Sequence, residues 1–436
     1  MVPIRQRARW RGRILALAAS AVAAAGLLTA CGGSDGPPQL TWYINPDPNP
    51  PDNFEGPFGQ AGIADRCSTD QYTIKTELLP QSATEQRIQL LRRLVAKDSS
   101  ISLMSLDPVF TGEFAEAGFL EPLPADLASE MKGATLKGAV SGAEWDGKLV
   151  AAPLWANTQT LWFRKSVAKK AGLDMSKPVT WDQIIDAAAE TGTSVGVQAN
   201  KYEGYVVWIN ALVQGAGGDI VSQTQKGPDA SVDIGSEAGK QAAAVIDKLA
   251  HSPAAEPDLS VSNEGTVLGP LAGKNGGFMV NWTFAYNNYK DSDIADDLGW
   301  ARYPETVAGQ QSKPPTGGIN VGVSPYGSHV DLAMDAVKCI TSEKEQAQYA
   351  IETANMPARQ AAYDDPALKK QFPADLLQLW QDSIDTGGPR PASAYWATIV
   401  NATLNKWHPA NSVNPDSTPQ SSASFIEDAL KGKVLL

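Results

Sequence analysis

The chain has 436 residues, 36 of them basic and 48 acidic. Its first 30 residues hold five arginines and no acid, so beyond them 31 basic residues face 48 acidic ones, a balance of −17. A surface that acidic repels phosphate backbones, which argues against nucleic acid as a partner, and the scattered histidines His251, His329 and His408 lack metal-ligand spacing.

Arg5, Arg7, Arg9, Arg11 and Arg13 precede an apolar run from Ile14 to Leu28. At 15 residues the run falls short of the roughly 18 that a spanning helix needs, and reads as a signal-peptide core. Leu28-Thr29-Ala30-Cys31 then sets small residues before a cysteine, the pattern of a bacterial lipoprotein signal. On that expectation residues 1–30 are removed and Cys31 becomes a lipidated N-terminus. Residues 31–39 form a tether that keeps the body at the outer face of the cytoplasmic membrane. The alternatives are an uncleaved anchor and an ordinary secretory signal. The remaining chain of about 400 residues exceeds a single compact core, so two lobes are expected. With Cys31 lipidated, Cys67 and Cys339 remain for an oxidising compartment, either bridged or as two buried thiols.

Leu40–Ile44 reads as a first strand, Gly59–Arg66 as a helix and Tyr72–Leu79 as a second strand. Ser82 with Glu85 three residues on predicts a capping box, and Ile88, Leu91, Leu94 and Val95 predict the buried stripe of the helix that follows. Ile101–Leu106 is a buried strand ending in Asp107-Pro108. Such alternation predicts a mainly parallel α/β sheet. Lys148–Pro153 reads as a strand running into Leu154-Trp155-Ala156-Asn157, with Leu161-Trp162-Phe163 at once behind it. Helices follow over Trp181–Glu190, opened by Thr180, and over Val206–Val213 and Ser236–Ala250, with a hairpin in Asp219–Val232. Gly276–Trp282 and Thr316–Val323 are further strands, and Val330–Thr341 opens a helical tail broken by a loop at 387–391.

No G-x-S-x-G elbow, Walker loop or H-E-x-x-H sequence occurs, and Gly215–Gly218 lacks dinucleotide spacing. No carboxylate pair is singled out for glycosidase chemistry, so no catalytic residue, cofactor or metal is assigned. Trp42, Tyr43, Trp155, Trp282, Tyr286, Tyr395 and Trp396 fall where segments end or turn. Sugars offer apolar C–H faces and a rim of hydroxyls, so flat aromatics beside Asp, Glu, Asn and Arg suit them; core packing is the competing reading for each tryptophan. Asp107, Asn157 and Asn281 end apolar strands, at the edge where open α/β sheets take ligands, with capping as the alternative.

The lipoprotein leader, the helix from Glu85-Gln86-Arg87, Leu106-Asp107, Gly147-Lys148-Leu149-Val150-Ala151-Ala152-Pro153, Asn281-Trp282 and Gly317-Gly318-Ile319-Asn320 together resemble the sugar-binding proteins of ABC importers, the family 1 solute-binding proteins. A narrower resemblance, to the mycobacterial trehalose-binding lipoproteins, rests on Glu85 to Leu94, Glu113 to Gly118, Val197 to Asn200, Glu203-Gly204, Asn157-Thr158-Gln159, Glu264-Gly265 and Arg390-Pro391-Ala392. Asp65-Arg66-Cys67 and Ala336-Val337-Lys338-Cys339 also match it. The chain departs from that group at Trp155-Ala156, around Tyr202, and between Thr283 and Thr316, which is shorter here.

The resemblance implies a periplasmic-binding-protein-like fold of two α/β lobes with the ligand cleft between them. Residues 40–153 with 323–356 would form the first lobe, and 154–322 with 357–436 the second, with crossings near Pro153, Gly322 and Met356-Pro357. Asp107, Asn157 and Glu264 would bond sugar hydroxyls, Trp282 would stack on a ring, Arg390 would clamp hydroxyls, and Gly318 would allow close approach; Asn281 and Tyr43 complete the expected site. The implied partners are a trehalose-like disaccharide and the transmembrane subunits of a permease, served by a monomer. A maltose or oligosaccharide receptor is the nearest alternative, and a secreted glycosidase or a structural lipoprotein lie further off.

Overall fold

A computed structural model describes residues 36–48, 50 and 55–436. The leader, Cys31 and the tether up to residue 35 lie outside the described residues. Pro38–Leu436 form one compact unit, in which no helix is long and apolar enough to cross a membrane.

Nine strands share the main sheet: β1 (Gln39–Ile44), β2 (Thr73–Leu78), β3 (Leu103–Leu106), β4 (Ala152–Arg164), β5 (Ser194–Gly196), β6 (Gly276–Trp282), β7 (Leu298–Ala301), β8 (Pro315–Val323) and β9 (Gly388–Pro389). Their order is β2-β1-β3-β8-β4-β6-β5, with β7 on β4 and β9 on β8. β1 runs parallel to β2 and β3, but β8 runs against both β3 and β4, and β6 and β7 run against β4. The sheet is therefore mixed rather than mainly parallel. Alternation with helices dictates parallel pairing only between strands joined by a crossover, whereas β8 inserts from late in the chain.

β4 is one strand of 13 residues where the sequence suggested two. Its first half pairs with β8, from Ala152 opposite Val321 to Thr158 opposite Thr316. Its second half pairs with β6, from Gln159 opposite Trp282 to Phe163 opposite Phe278. The polar stretch Asn157-Thr158-Gln159-Thr160 that hid this continuity is buried, and partners meet much of it. Gln159 Nε2 donates to Gln198 Oε1 at 3.0 Å and Thr160 Oγ1 accepts from Trp380 Nε1 at 2.9 Å.

Two local expectations change. Ser82 sits at the N-cap of Ala83–Val95 but makes no side-chain cap bond, and the face turned inward is Gln86, Leu90 and Leu94. Ile88 and Val95 are 37% and 70% exposed; Gln86 goes in because its amide donates to the Pro80 carbonyl at 2.8 Å. At Trp181–Thr191, by contrast, Thr180 and Gln183 form a complete capping box. Cys67, which closes the Gly59–Arg66 helix, and Cys339, within Val330–Ile340, are joined by a disulfide with Cα atoms 5.7 Å apart.

Several of the aromatic candidates belong to the core. Trp42 and Trp396 are fully buried, Trp155 stacks on Tyr349 with ring centres 4.8 Å apart, and Tyr286 packs on Phe372 at 5.4 Å. Burying a large apolar side chain contributes about 1.5–3 kcal/mol, sufficient reason for those positions without a ligand. Trp282 and Tyr395 stay partly exposed.

Candidate functional site

β9 pairs Gly388 and Pro389 with Pro315 and Thr316, and so delivers Arg390 to the end of β8. The Pro389 carbonyl is held by Asn210 Nδ2 at 3.4 Å and Gln214 Nε2 at 3.1 Å. The Arg390 side chain is only 6% exposed. It donates to both oxygens of Asp107, Nη2 to Oδ1 at 2.9 Å and Nη1 to Oδ2 at 3.2 Å, and Nη1 also donates to Glu203 Oε1 at 3.0 Å. Asp107 ends β3 and caps the turn Pro108–Phe110, where its Oδ1 accepts from Val109 N at 3.1 Å. Glu203 is the first residue of Glu203–Gly215, where the helix dipole favours an anion. The same Glu203 oxygen accepts from Trp396 Nε1 at 3.3 Å.

Burial pushes the Glu203 carboxyl above its ordinary range; Arg390 pulls it down and Asp107 pushes it further up. Burial alone would make the Arg390 guanidinium less basic, but Asp107 and Glu203 outweigh it, so the cation is firmly held. Glu264 is likewise pushed up by burial, with Tyr202 opposing, and it senses both Asp107 and Arg390. Burial and the Glu264 charge raise the Tyr202 phenol well above its usual value. The Tyr202 hydroxyl is buried and faces the Glu264 carboxyl closely enough that each shifts the other.

Trp282 ends β6 with its indole over the backbone of Gly317. A Cβ at Gly317 would lie 3.1 Å from the indole and 3.5 Å from Arg390 Nη2. Asn281, fully buried, donates to the Glu264 carbonyl at 2.9 Å and accepts from Trp282 N at 2.9 Å, so it sets the position of both. Asp107, Glu264, Trp282 and Arg390 are thus brought together, with Asn281 behind them.

The remaining expected residues have other duties. Asn157 Oδ1 accepts from Thr283 Oγ1 at 2.7 Å and Thr158 N at 2.9 Å, while its Nδ2 donates to Asn355 Oδ1 at 2.9 Å. Gly318 has φ +136°, and a Cβ there would meet the Trp155 carbonyl oxygen at 2.1 Å. Its glycine is therefore required by the β8–β4 pairing, and Gly317 is the glycine that faces the site. Tyr43 packs under the Arg93 guanidinium, 4.9 Å from the ring centre.

Glu203 and Gly317 were noted in the sequence only as parts of family motifs and were given no place in the expected site. The signal for Glu203 was present: a carboxylate opening the apolar run Gly204-Tyr205-Val206-Val207-Trp208 is carried into the interior and needs a cation there.

A separate pocket of about 460 Å³ is lined by Ser194, Glu256, Asp258, Lys274 and Asn275, among others, and shares no residue with the Arg390 group. No group of His, Cys, Asp and Glu able to hold a metal ion occurs among the described residues. What the Arg390 group offers is reversible: carboxylates and a guanidinium for hydroxyls, and an indole face for an apolar ring.

Residues 71–347 match the family described as "Bacterial extracellular solute-binding protein". A "Probable ABC transporter-binding protein" of Deinococcus radiodurans is 26% identical over 320 residues, covering 69% of this chain and 72% of that protein. "Diacetylchitobiose binding protein DasA" of Streptomyces coelicolor is 23% identical over 337 residues, 75% of each. Among solved structures, "Maltose bound T. maritima MalE3" is similar with a TM-score of 0.76 at 23% identity, covering 91% of this chain and 100% of that one.

Proposed function

Since the chain belongs to the bacterial extracellular solute-binding proteins, we propose that it captures a disaccharide outside the membrane and hands it to the transmembrane subunits of an ABC permease. The observation that carries this reading is Arg390, bonded to Asp107 and Glu203 beside the Trp282 indole. Fixed carboxylates and a fork of N–H donors suit vicinal hydroxyls, and an aromatic face suits a pyranose ring. No step is covalent, and no cofactor or metal enters. Relatives that bind diacetylchitobiose and maltose support a sugar as the ligand class.

Residues 40–153 with 323–356 and residues 154–322 with 357–436 act as two lobes that close over the sugar. What supports a two-part division is that β4 changes partner along its length, from β8 to β6 between Thr158 and Gln159, a few residues past the proposed boundary at Pro153. Pro153, Gly322 and Met356-Pro357 serve as hinges, and closure creates the surface that the permease reads. Cys31 carries the lipid that keeps the monomer at the membrane. The specific ligand is trehalose or a close relative, a choice resting on the sequence motifs around Glu85, Asn157, Glu264 and Arg390. Maltose is the second reading, favoured by the likeness to MalE3. A dissociation constant near micromolar, about −8 kcal/mol, would combine capture with release.

The test is calorimetric titration of residues 34–436 with trehalose and with maltose. One-to-one binding of trehalose with little maltose response supports the reading; a maltose response alone replaces the ligand; silence toward both refutes it.

A further inference from the structure

Around Arg390 three acidic side chains meet one cation. Asp107 holds the guanidinium through both oxygens, Glu203 takes a further bond from Nη1, and Glu264 lies near enough to sense Asp107 and Arg390. Neutral groups also touch the cluster: Trp396 on Glu203, Tyr202 beside Glu264, and Trp282 over Gly317. Arg390 is the cation that acts on Glu203 and on Glu264 alike. Even with both glutamates protonated, Arg390 would be matched by Asp107, and no positive charge would be left over.

Hydroxyl groups both donate and accept, so a neutral sugar can join this network without altering its charge. An anionic ligand must instead draw Arg390 from a carboxylate that already holds it. That carboxylate would then be buried without a cation, which is costly. An ammonium group meets the opposite situation, a surplus of acceptors.

Building on the sugar-binding reading, we propose that this charge balance makes the cleft a filter. It admits neutral and amino-substituted disaccharides and rejects phosphorylated or carboxylated ones, with Glu203 as the specificity-determining residue. Glu203 has that role because Asp107 is already paired with Arg390 through two bonds. Glu203 shares a single guanidinium nitrogen, and its other partner is the neutral Trp396 indole. The selection differs from ring recognition by Trp282, which is indifferent to charge on the ligand.

The experiment compares four ligands on residues 34–436 by calorimetry: trehalose, trehalose 6-phosphate, 6-amino-6-deoxytrehalose and 6-O-acetyltrehalose. The acetyl ester is bulky and uncharged, so it separates charge from size. The phosphate is expected to bind at least about a hundredfold more weakly than trehalose. The amine and the ester should stay within about tenfold of it, and Glu203→Gln should narrow the phosphate gap by about tenfold. A phosphate that binds within about threefold of trehalose overturns the filter, as does an ester rejected as strongly as the phosphate. Both results leave the sugar-binding reading standing. Silence toward all four ligands overturns the filter, and silence toward maltose as well removes the sugar-binding reading. The wild-type comparison does not depend on the variant folding.

Discussion

Arg390, proposed above to meet the sugar, has a structural duty in its own right. With its side chain 6% exposed and bonded to both Asp107 and Glu203, it neutralises charge that the interior would not otherwise tolerate. Arg390→Ala should therefore do more than weaken sugar binding. It leaves buried carboxylates unpaired, a loss of about 3–5 kcal/mol, which urea unfolding would register. Trp282→Ala removes a partly exposed ring and should weaken binding with a much smaller stability change. Gly318 makes a separate point: with φ +136° and a carbonyl 2.1 Å from any added Cβ, Gly318→Ala should destabilise by at least about 2 kcal/mol. An unchanged urea midpoint for Gly318→Ala would contradict the assigned role.

At the scale of elements, two N-caps that look alike in sequence behave differently. Thr180 accepts from Gln183 N at 3.2 Å and Gln183 Oε1 accepts from Thr180 N at 2.9 Å, whereas the Ser82 side chain makes no cap bond. Thr180→Ala should cost about 1 kcal/mol and Ser82→Ala close to nothing; equal losses in paired unfolding curves would refute the distinction. The same contrast shows what sequence could and could not reveal. Gly59–Arg66 and Gly276–Trp282 were legible to the residue because apolar runs and glycines mark their ends. β4 was not, since the partners that meet much of its polar centre, Gln198, Trp380 and Asn355, are distant in sequence. The mixed sheet was hidden for the same reason, because β8 pairs with strands more than 150 residues earlier. Of the group that the structure gathers around Arg390, Asp107, Glu264, Trp282 and Arg390 had been singled out through strand ends and family resemblance. Glu203 escaped because its partner lies 187 positions away.

For the whole molecule, buried acids set the response to pH. Asp47 accepts from Gln60 N at 2.7 Å and Tyr349 Oη at 2.6 Å, yet burial still pushes its carboxyl up to about 6. Unfolded, that carboxyl releases its proton near 3.8. Between these values the folded chain holds more protons, so stability is full below about pH 4 and is lost as pH rises through about 6. The loss from Asp47 is about 3 kcal/mol, and Glu256, pushed up to about 7 mainly by burial, acts in the same direction. Tm should therefore rise when pH is lowered from 7.5 to 5.5, and Asp47→Asn should flatten that rise. A Tm that falls over this interval would contradict the assignment.

Sugar binding at the Arg390 group is the proposal on which the others rest. It is tested most directly by titrating trehalose and maltose into wild type, Trp282→Ala and Arg390→Lys, with Tm recorded for each. Arg390→Lys keeps the charge but loses the two-pronged bonding. Wild type should bind saturably, with affinity reduced at least about tenfold in each variant that remains folded. Wild-type affinity in both folded variants would place the sugar elsewhere and contradict it.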